Sequence, residues 1–296
     1  MITHADAGSA DQLGPALEVI QGHTSVEVCE TSMPGDLDGV LHRAGSRPIV
    51  VAGGDGTLHA VVATLYRRND LHGRALGLLP LGTGNDFARA VGIPLDPVEA
   101  AKALVSASPE PMDLVVDELG EIVVNHVHVG ASALASRHGA TWKERLGPFG
   151  LGLVGYPVGA MLAAVRPPSL RLRVEVDGEV VTDVDRQVLM LAIGNGASVG
   201  GGTELTPDAD PSDGRLDVMV SMATGPLERF GYAWHLRDGD HTERDDVIAL
   251  RAKQVTISGE DFFLAADGEI SGPERRRSWH LEPGAYAMLV PSSFGG

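Results

Sequence analysis

In the first third of the chain, short apolar runs alternate with segments whose apolar positions recur at helical spacing. Asp11 to Gln21 carries Leu13, Leu17 and Ile20, and Asp36 to Ala44 carries Leu37, Val40 and Leu41; both patterns predict helices. His59 to Tyr66 and Val98 to Val105 read the same way. Between them, Val26 to Cys29, Ile49 to Ala52 and Leu76 to Leu81 are short and apolar or alternating, as buried strands are. Strands alternating with helices imply a parallel sheet with right-handed crossovers. Before Ala7-Gly8-Ser9 the only strand-like residues are Ile2-Thr3, so the opening strand is expected to be truncated or to begin upstream.

From Met112 the texture changes. Asp113 to Asp117 and Glu121 to Val129 read as a hairpin. Leu170–Val176, Val180–Val184, Val188–Ile193, Arg215–Val220, Gln254–Ser258, Phe262–Ala265 and Ala285–Val290 follow as short strands. The fold class expected is an α/β N-terminal domain, Rossmann-like with a parallel sheet, over residues 1–113, and a β-sandwich-like C-terminal domain over 114–296. Leu146 to Val165 is uncharged and long enough to span a bilayer. Its five glycines and two prolines break that pattern, so it reads as an apolar wall, with Lys143, Arg145 and Arg166 at its ends.

The chemistry gathers where two of the predicted strands end. Ile49 to Ala52 runs into Gly53-Gly54-Asp55-Gly56-Thr57, and Leu76 to Leu81 runs into Gly82-Thr83-Gly84-Asn85-Asp86. A glycine turn between a strand and a helix lets backbone N–H groups face a phosphate. Two such loops at the carboxyl ends of neighbouring parallel strands form a nucleotide crevice. A carboxylate in each loop repels phosphate unless a cation lies between, so the pair predicts phosphate plus metal. Thr57, Thr83 and Asn85 join the glycines as nucleotide-binding candidates. The G-x-x-x-x-G-K-[ST] loop is absent.

Gly53-Gly54-Asp55-Gly56-Thr57 followed by Leu81-Gly82-Thr83-Gly84-Asn85-Asp86-Phe87-Ala88-Arg89 resembles the diacylglycerol kinase catalytic family, which includes sphingosine and ceramide kinases. More distant NAD kinases share only the first motif. The resemblance implies ATP as phosphoryl donor and Mg²⁺ held by a water-bridged network of Asp55, Asp86 and Asp113. It also makes Asp267, in Ala266-Asp267-Gly268-Glu269, the general base, with Glu269 beside the nucleotide. A second signature spans Gly194 to Val218; in bacterial members such a loop binds a structural Mg²⁺, here through the Asp213 side chain and the backbone carbonyls of Asp210 and Arg215. An unmetallated acidic turn is the alternative reading. The sequence departs from the family at His4–Ala5, Ala60, Ala63-Thr64 and Ser132.

The acceptor implied is a lipid alcohol: diacylglycerol first, then a sphingoid base or another lipid. The rival readings are an NAD-kinase-like phosphotransferase and a non-catalytic nucleotide-binding regulator. His126 and His128 would share one face of a strand, and two histidines alone make a poor metal site. No Ser-His-Asp or Cys-His order supports a hydrolase.

With 43% hydrophobic and 21% charged residues the chain reads as soluble and globular. Aromatics make up only 4%, so aliphatic side chains must build the core. The formal net charge of −17 argues against nucleic-acid partners and confines membrane contact to apolar or locally basic patches. The lone Cys29 excludes an intrachain disulfide and favours a reducing compartment. The localisation expected is cytoplasmic, with transient peripheral membrane contact; a homodimer is left open.

Overall fold

The computed structural model describes residues 1–4, 10–31, 34–130, 133 and 169–291. The apolar Leu146–Val165 segment, Ser132 and the basic residues at 143, 145 and 166 lie outside the described residues. The N-terminal elements are β1 (Ile2–His4), α1 (Ala10–Gln21), β2 (Cys29–Thr31), α2 (Pro34–Ala44), β3 (Ile49–Gly53), α3 (Asp55–Arg67), β4 (Ala75–Pro80), α4 (Asp86–Ala90) and α5 (Pro97–Val105). Then come β5 (Ser108–Asp117), β6 (Ile122–Val123), β7 (His126–Gly130), β8 (Leu170–Val176), β9 (Glu179–Thr182), β10 (Gln187–Val188), β11 (Met190–Gly194), β12 (Ser198–Val199), β13 (Thr203–Glu204) and β14 (Leu216–Ser221). The described chain ends with α6 (Pro226–Asp238), β15 (Val247–Ala252), β16 (Gln254–Ala266) and β17 (Glu269–Val290).

Local chemistry explains most of these elements. Leu58, Val61, Val62 and Leu65 repeat at helical spacing and are the apolar face α3 buries. Asp96 caps α5 by accepting from the N–H groups of Val98 and Glu99, and Pro97 takes the first turn. In β8, Leu170, Leu172, Val174 and Val176 point inward while Arg171, Arg173 and Glu175 alternate with them.

Strands β2, β1, β3 and β4 lie side by side and parallel, as the alternation predicts. The rest of the sheet differs from the expected division at residue 113. The 22-residue β17 runs antiparallel to β16 at its start and to β5 further on, then parallel to β4 at Ala287 and Met288. One continuous sheet therefore carries both halves, in the order β15-β14-β11-β7-β16-β17-β4-β3-β1-β2. Ala285, Tyr286, Met288 and Val290 belong to the N-terminal core, although the sequence reading assigned them to the second domain. A second core gathers β7, β8, β11, β14 and β16 around Phe262 and Trp279.

Strand β5 begins at Ser108, in a proline-bearing stretch. Pro109 and Pro111 are exposed, and β6 pairs only with Val115 and Val116, so the prolines lie on an open edge where a missing N–H costs nothing. Helix α6 and strand β15 are not predicted from the pattern. Of α6 only Tyr232 is buried, while Leu227, Phe230 and Trp234 face outward, so no inward apolar stripe marks it. Among the described residues no helix is long and apolar enough to cross a membrane.

Because Met288 is fully buried in the N-terminal core, Met288→Ala should destabilise the protein by about 2–5 kcal/mol in urea unfolding. A loss below about 0.5 kcal/mol, as at a surface position, would contradict the return of β17 to that core.

Candidate functional site

The two glycine loops pack against each other. A Cβ on Gly82 would lie 2.5 Å from the Cα of Gly54, and one on Gly54 would lie 2.9 Å from the Cα of Gly82. A Cβ on Gly53 would meet the Thr57 side chain at 2.5 Å. These three glycines are required by close approach of backbone and side chain, before any ligand arrives. Leu81 N–H donates to Gly53 O at 3.0 Å and fastens the second loop to β3. Asn85, at φ 54°, clamps its own loop: Oδ1 accepts from Gly82 N–H and Nδ2 donates to Gly82 O. Its side chain closes the turn, whereas Gly56 and Thr83 lie exposed at the mouth. Gly54 O accepts from Thr57 and Leu58 N–H, so the N–H groups of Asp55 and Gly56 precede the helix hydrogen bonds of α3. Such a helix start suits an anion.

Each acid of the loops is a clamp. Asp55 accepts from the N–H groups of Asp86 and Phe87 at 3.1 and 3.0 Å, so the first loop caps the helix that follows the second. Asp86 accepts from the Ser198 hydroxyl and from the N–H groups of Gly201 and Gly202, tying the loop to the β12–β13 hairpin. Burial raises the Asp55 pKa, the two N–H groups oppose the rise, and the charges of Asp86 and Asp267 add to it. A Cβ on Gly84 would lie 3.1 Å from Asp55 Oδ2 and 3.3 Å from Asp86 Oδ2. Two carboxylate oxygens thus border a space that a side chain would fill, and each oxygen retains a lone pair beyond its backbone partner. That arrangement fits a hydrated Mg²⁺, which needs only one or two protein carboxylates.

Asp113 is held by partners of its own. Its carboxylate accepts from Gly214 N–H at 2.6 Å and Gly284 N–H at 2.8 Å, and its N–H donates to Pro211 O. Burial raises its pKa against those N–H groups, and its acidic neighbours are Asp213 and Asp210. Among the described residues no group of three or more His, Cys, Asp and Glu is arranged to hold a metal ion. In the 210–215 loop, Asp210 accepts from the Ser212 hydroxyl and N–H, and Asp213 accepts from Arg215 N–H and pairs with Arg251. Arg251 supplies Asp213 with positive charge from the protein itself.

Asp267 lies at the seam between the halves. It sits at φ 45° in the turn joining β16 to β17, where Gly268 follows at φ 90°. Its carboxylate accepts from the N–H groups of Val124, Asn125 and His126 at 2.7, 2.9 and 3.0 Å, and bonds His59 Nδ1 at 2.8 Å. Burial alone would raise its pKa; the hydrogen bond and charge of His59 and the N–H groups outweigh that and hold it below 3.8. For His59, burial lowers the pKa, but Asp267, Glu269 and Glu121 outweigh it and hold the imidazole above 6.5. The sequence reading treats His59 only as the start of a helix. Its position four residues after Asp55, on the first turns leaving a phosphate-type loop, is the one local signal that would have singled it out. Glu269 is exposed beside the turn. His126 and His128 are structural: burial, reinforced for His126 by the neighbouring imidazole, drives them down to about 3 and about 4, and His126 Nε2 meets the Thr206 hydroxyl.

A family model described as the diacylglycerol kinase catalytic domain matches residues 4–116, and one described as the YegS C-terminal NAD kinase beta sandwich-like domain matches residues 125–290. The chain is 34% identical over 307 residues to a Stenotrophomonas maltophilia protein named "Probable lipid kinase YegS-like", spanning 99% of this chain and 96% of that one. It is 30% identical over 260 residues to a Mycobacterium tuberculosis diacylglycerol kinase, with 85% of this chain and 81% of that protein aligned. A crystal structure of a diacylglycerol kinase from Bacillus anthracis superposes at a TM-score of 0.72 and 21% identity, covering 99% of this chain and 96% of that chain, and so has the same fold.

Gly56 has open space around it and Gly82 has none. Gly56→Ala should be neutral or stabilise by up to about 1 kcal/mol in thermal unfolding, whereas Gly82→Ala should cost about 1–3 kcal/mol. Equal effects would contradict the loop packing. The His59–Asp267 pair also has a pH window. The Asp267 contribution is present above 3.8 and lost as pH falls through its lowered folded value; that of His59 is present below 6.5 and lost as pH rises through its raised one. The Tm difference between wild type and His59→Gln should therefore be largest between pH 3.8 and 6.5. A difference that keeps growing well above that window would contradict the ion pair.

Proposed function

The chain belongs to the diacylglycerol kinase catalytic-domain family and carries a YegS-type C-terminal domain, and on that premise we propose that it transfers the γ-phosphoryl group of ATP to a lipid alcohol, diacylglycerol first. Membership supports a lipid kinase, and the proposal adds ATP as donor, Mg²⁺ and the acceptor. The observation that carries it is the seam, where two interlocked glycine loops and the open start of α3 lie beside a carboxylate–imidazole pair from opposite halves of the chain.

The phosphates would lie against Gly53 to Thr57 and Gly82 to Asn85, with the N–H groups of Asp55 and Gly56 facing negative charge. Asp55 and Asp86 would hold Mg²⁺ through water, and the ion would screen the triphosphate. Phosphoryl transfer otherwise needs positioning and a group to receive the acceptor's proton. Asp267, with Glu269 beside it, stands on the acceptor side. Contact with membrane would be peripheral, since the substrate is lipid and the net charge of −17 opposes broad adhesion to anionic surfaces.

A labelled-ATP assay against a lipid panel tests this reading, with wild type beside Asp267→Ala. The expected outcome is label in phosphatidic acid when diacylglycerol is offered, reduced roughly 100-fold or more in the variant. Label on a sphingoid base instead would move the acceptor. ATP consumption without lipid would favour a soluble acceptor, and nucleotide binding without turnover would leave a regulator.

A further inference from the structure

Helix α6 turns its largest apolar side chains away from the core. Leu227, Phe230 and Trp234 recur at i, i+3 and i+7 and so share one stripe. They are 87%, 70% and 53% exposed, and none of the described residues covers them. The opposite side is a packing face: Tyr232 is buried and Leu236 partly buried in a core with Leu205, Met219 and Val247. Both ends of the helix are closed, by Glu228 accepting from Gly225 N–H and by Gly239 at φ 81°. The stripe therefore belongs to a helix that is fixed on the sheet.

We propose that this stripe is a membrane-docking surface, with Leu227, Phe230 and Trp234 entering the interface of a lipid bilayer. The inference rests on the lipid-kinase reading above and names the surface through which that site would meet its substrate. Charge favours this occupant. A chain of net charge −17 is repelled as a whole by anionic lipid. Attachment then has to come from apolar insertion with a cation at its rim. Arg237 supplies the cation: its guanidinium lies 4.2 Å over the Trp234 ring and pairs with Asp238. An indole with an arginine on its face suits the headgroup level, where one side meets hydrocarbon and the other meets phosphate. Area disfavours a second copy of the chain. The three side chains offer roughly 400 Å², whereas a stable interface buries about 800 Å² on each partner.

The stripe is also connected to the candidate site. Val199 of β12 and Leu205, just after β13, pack in the same core as α6. The β12–β13 hairpin in turn holds Asp86 through Ser198, Gly201 and Gly202. One hairpin thus joins the docking helix to the second glycine loop.

Vesicle flotation without ATP tests the proposal, with phosphatidylcholine alone and with phosphatidylcholine mixed with phosphatidylglycerol. Wild type should float with both. Phe230→Ser should bind about tenfold more weakly. The triple variant L227S/F230S/W234S should stay in the soluble fraction with its Tm unchanged, because the stripe lies outside the core. Val184→Ser, at an exposed apolar position elsewhere, should float like wild type. Arg237→Gln should weaken binding to the anionic vesicles about fivefold. Trp234 emission should shift to the blue on vesicles and be quenched by brominated lipid, and Trp234→Phe should lose most of that quenching. In the labelled-ATP assay the triple variant should lose about tenfold or more activity on diacylglycerol in vesicles and keep wild-type kcat on a short-chain diacylglycerol in free solution. A triple variant that floats like wild type would overturn the proposal, as would a wild type that floats with neither vesicle. A wild-type dimer in sedimentation that the triple variant dissociates, with flotation untouched, would assign the stripe to a second copy instead. Vesicle binding through the stripe with no label in any lipid would support the docking surface and defeat the kinase reading.

Discussion

Buried carboxylates that collect backbone N–H groups from distant segments hold this molecule around its seam. Asp55 takes N–H groups from α4, Asp86 from the β12–β13 hairpin, Asp113 from the 210–214 loop and β17, and Asp267 from the β6–β7 corner. A hydrogen bond to a charged acceptor contributes roughly 1.5–3 kcal/mol net, and removing the acceptor leaves its donors orphaned. Every one of these acids joins loops far apart along the chain. Their placement gives a continuous sheet with several apolar cores a single seam where loops from both halves meet.

The residues of the two glycine motifs therefore also carry the fold at this place. Gly54 and Gly82 allow two turns to touch, Asn85 locks the second turn, and Asp55 caps the helix behind it. Among the described residues, what remains open at the seam includes the start of α3, the space at Gly84 bordered by two carboxylate oxygens, and the His59 ring. These are the places that the proposed phosphate, hydrated cation and acceptor hydroxyl would take.

Local periodicity made much of this legible. The alternation of β8, the apolar face of α3 and the glycine-ended strands β3 and β4 are properties of short stretches, and the parallel sheet follows from their order. The return of β17 was not legible, because its apolar residues suit either core and only pairing with β4 decides between them. Helix α6 escaped because its large apolar residues face solvent. At the site, Asp55, Asp86 and Asp267 stood out from their glycine turns, but a motif does not tell which oxygens are already taken. That depends on Val124 to His126, about 140 residues from Asp267, and the same distance relation hid His59. The partners of Asp113 were hidden for the same reason, since Gly214 and Gly284, far along the chain, hold it.

The most direct measurement is a crystal structure of the chain with a non-hydrolysable ATP analogue and Mg²⁺. The expected result is a triphosphate on the Gly53–Thr57 and Gly82–Asn85 loops, the ion beside Asp55 and Asp86, and the γ-phosphate opposite the His59 ring. A nucleotide bound away from the seam, with the glycine loops and His59 bare, would contradict the account.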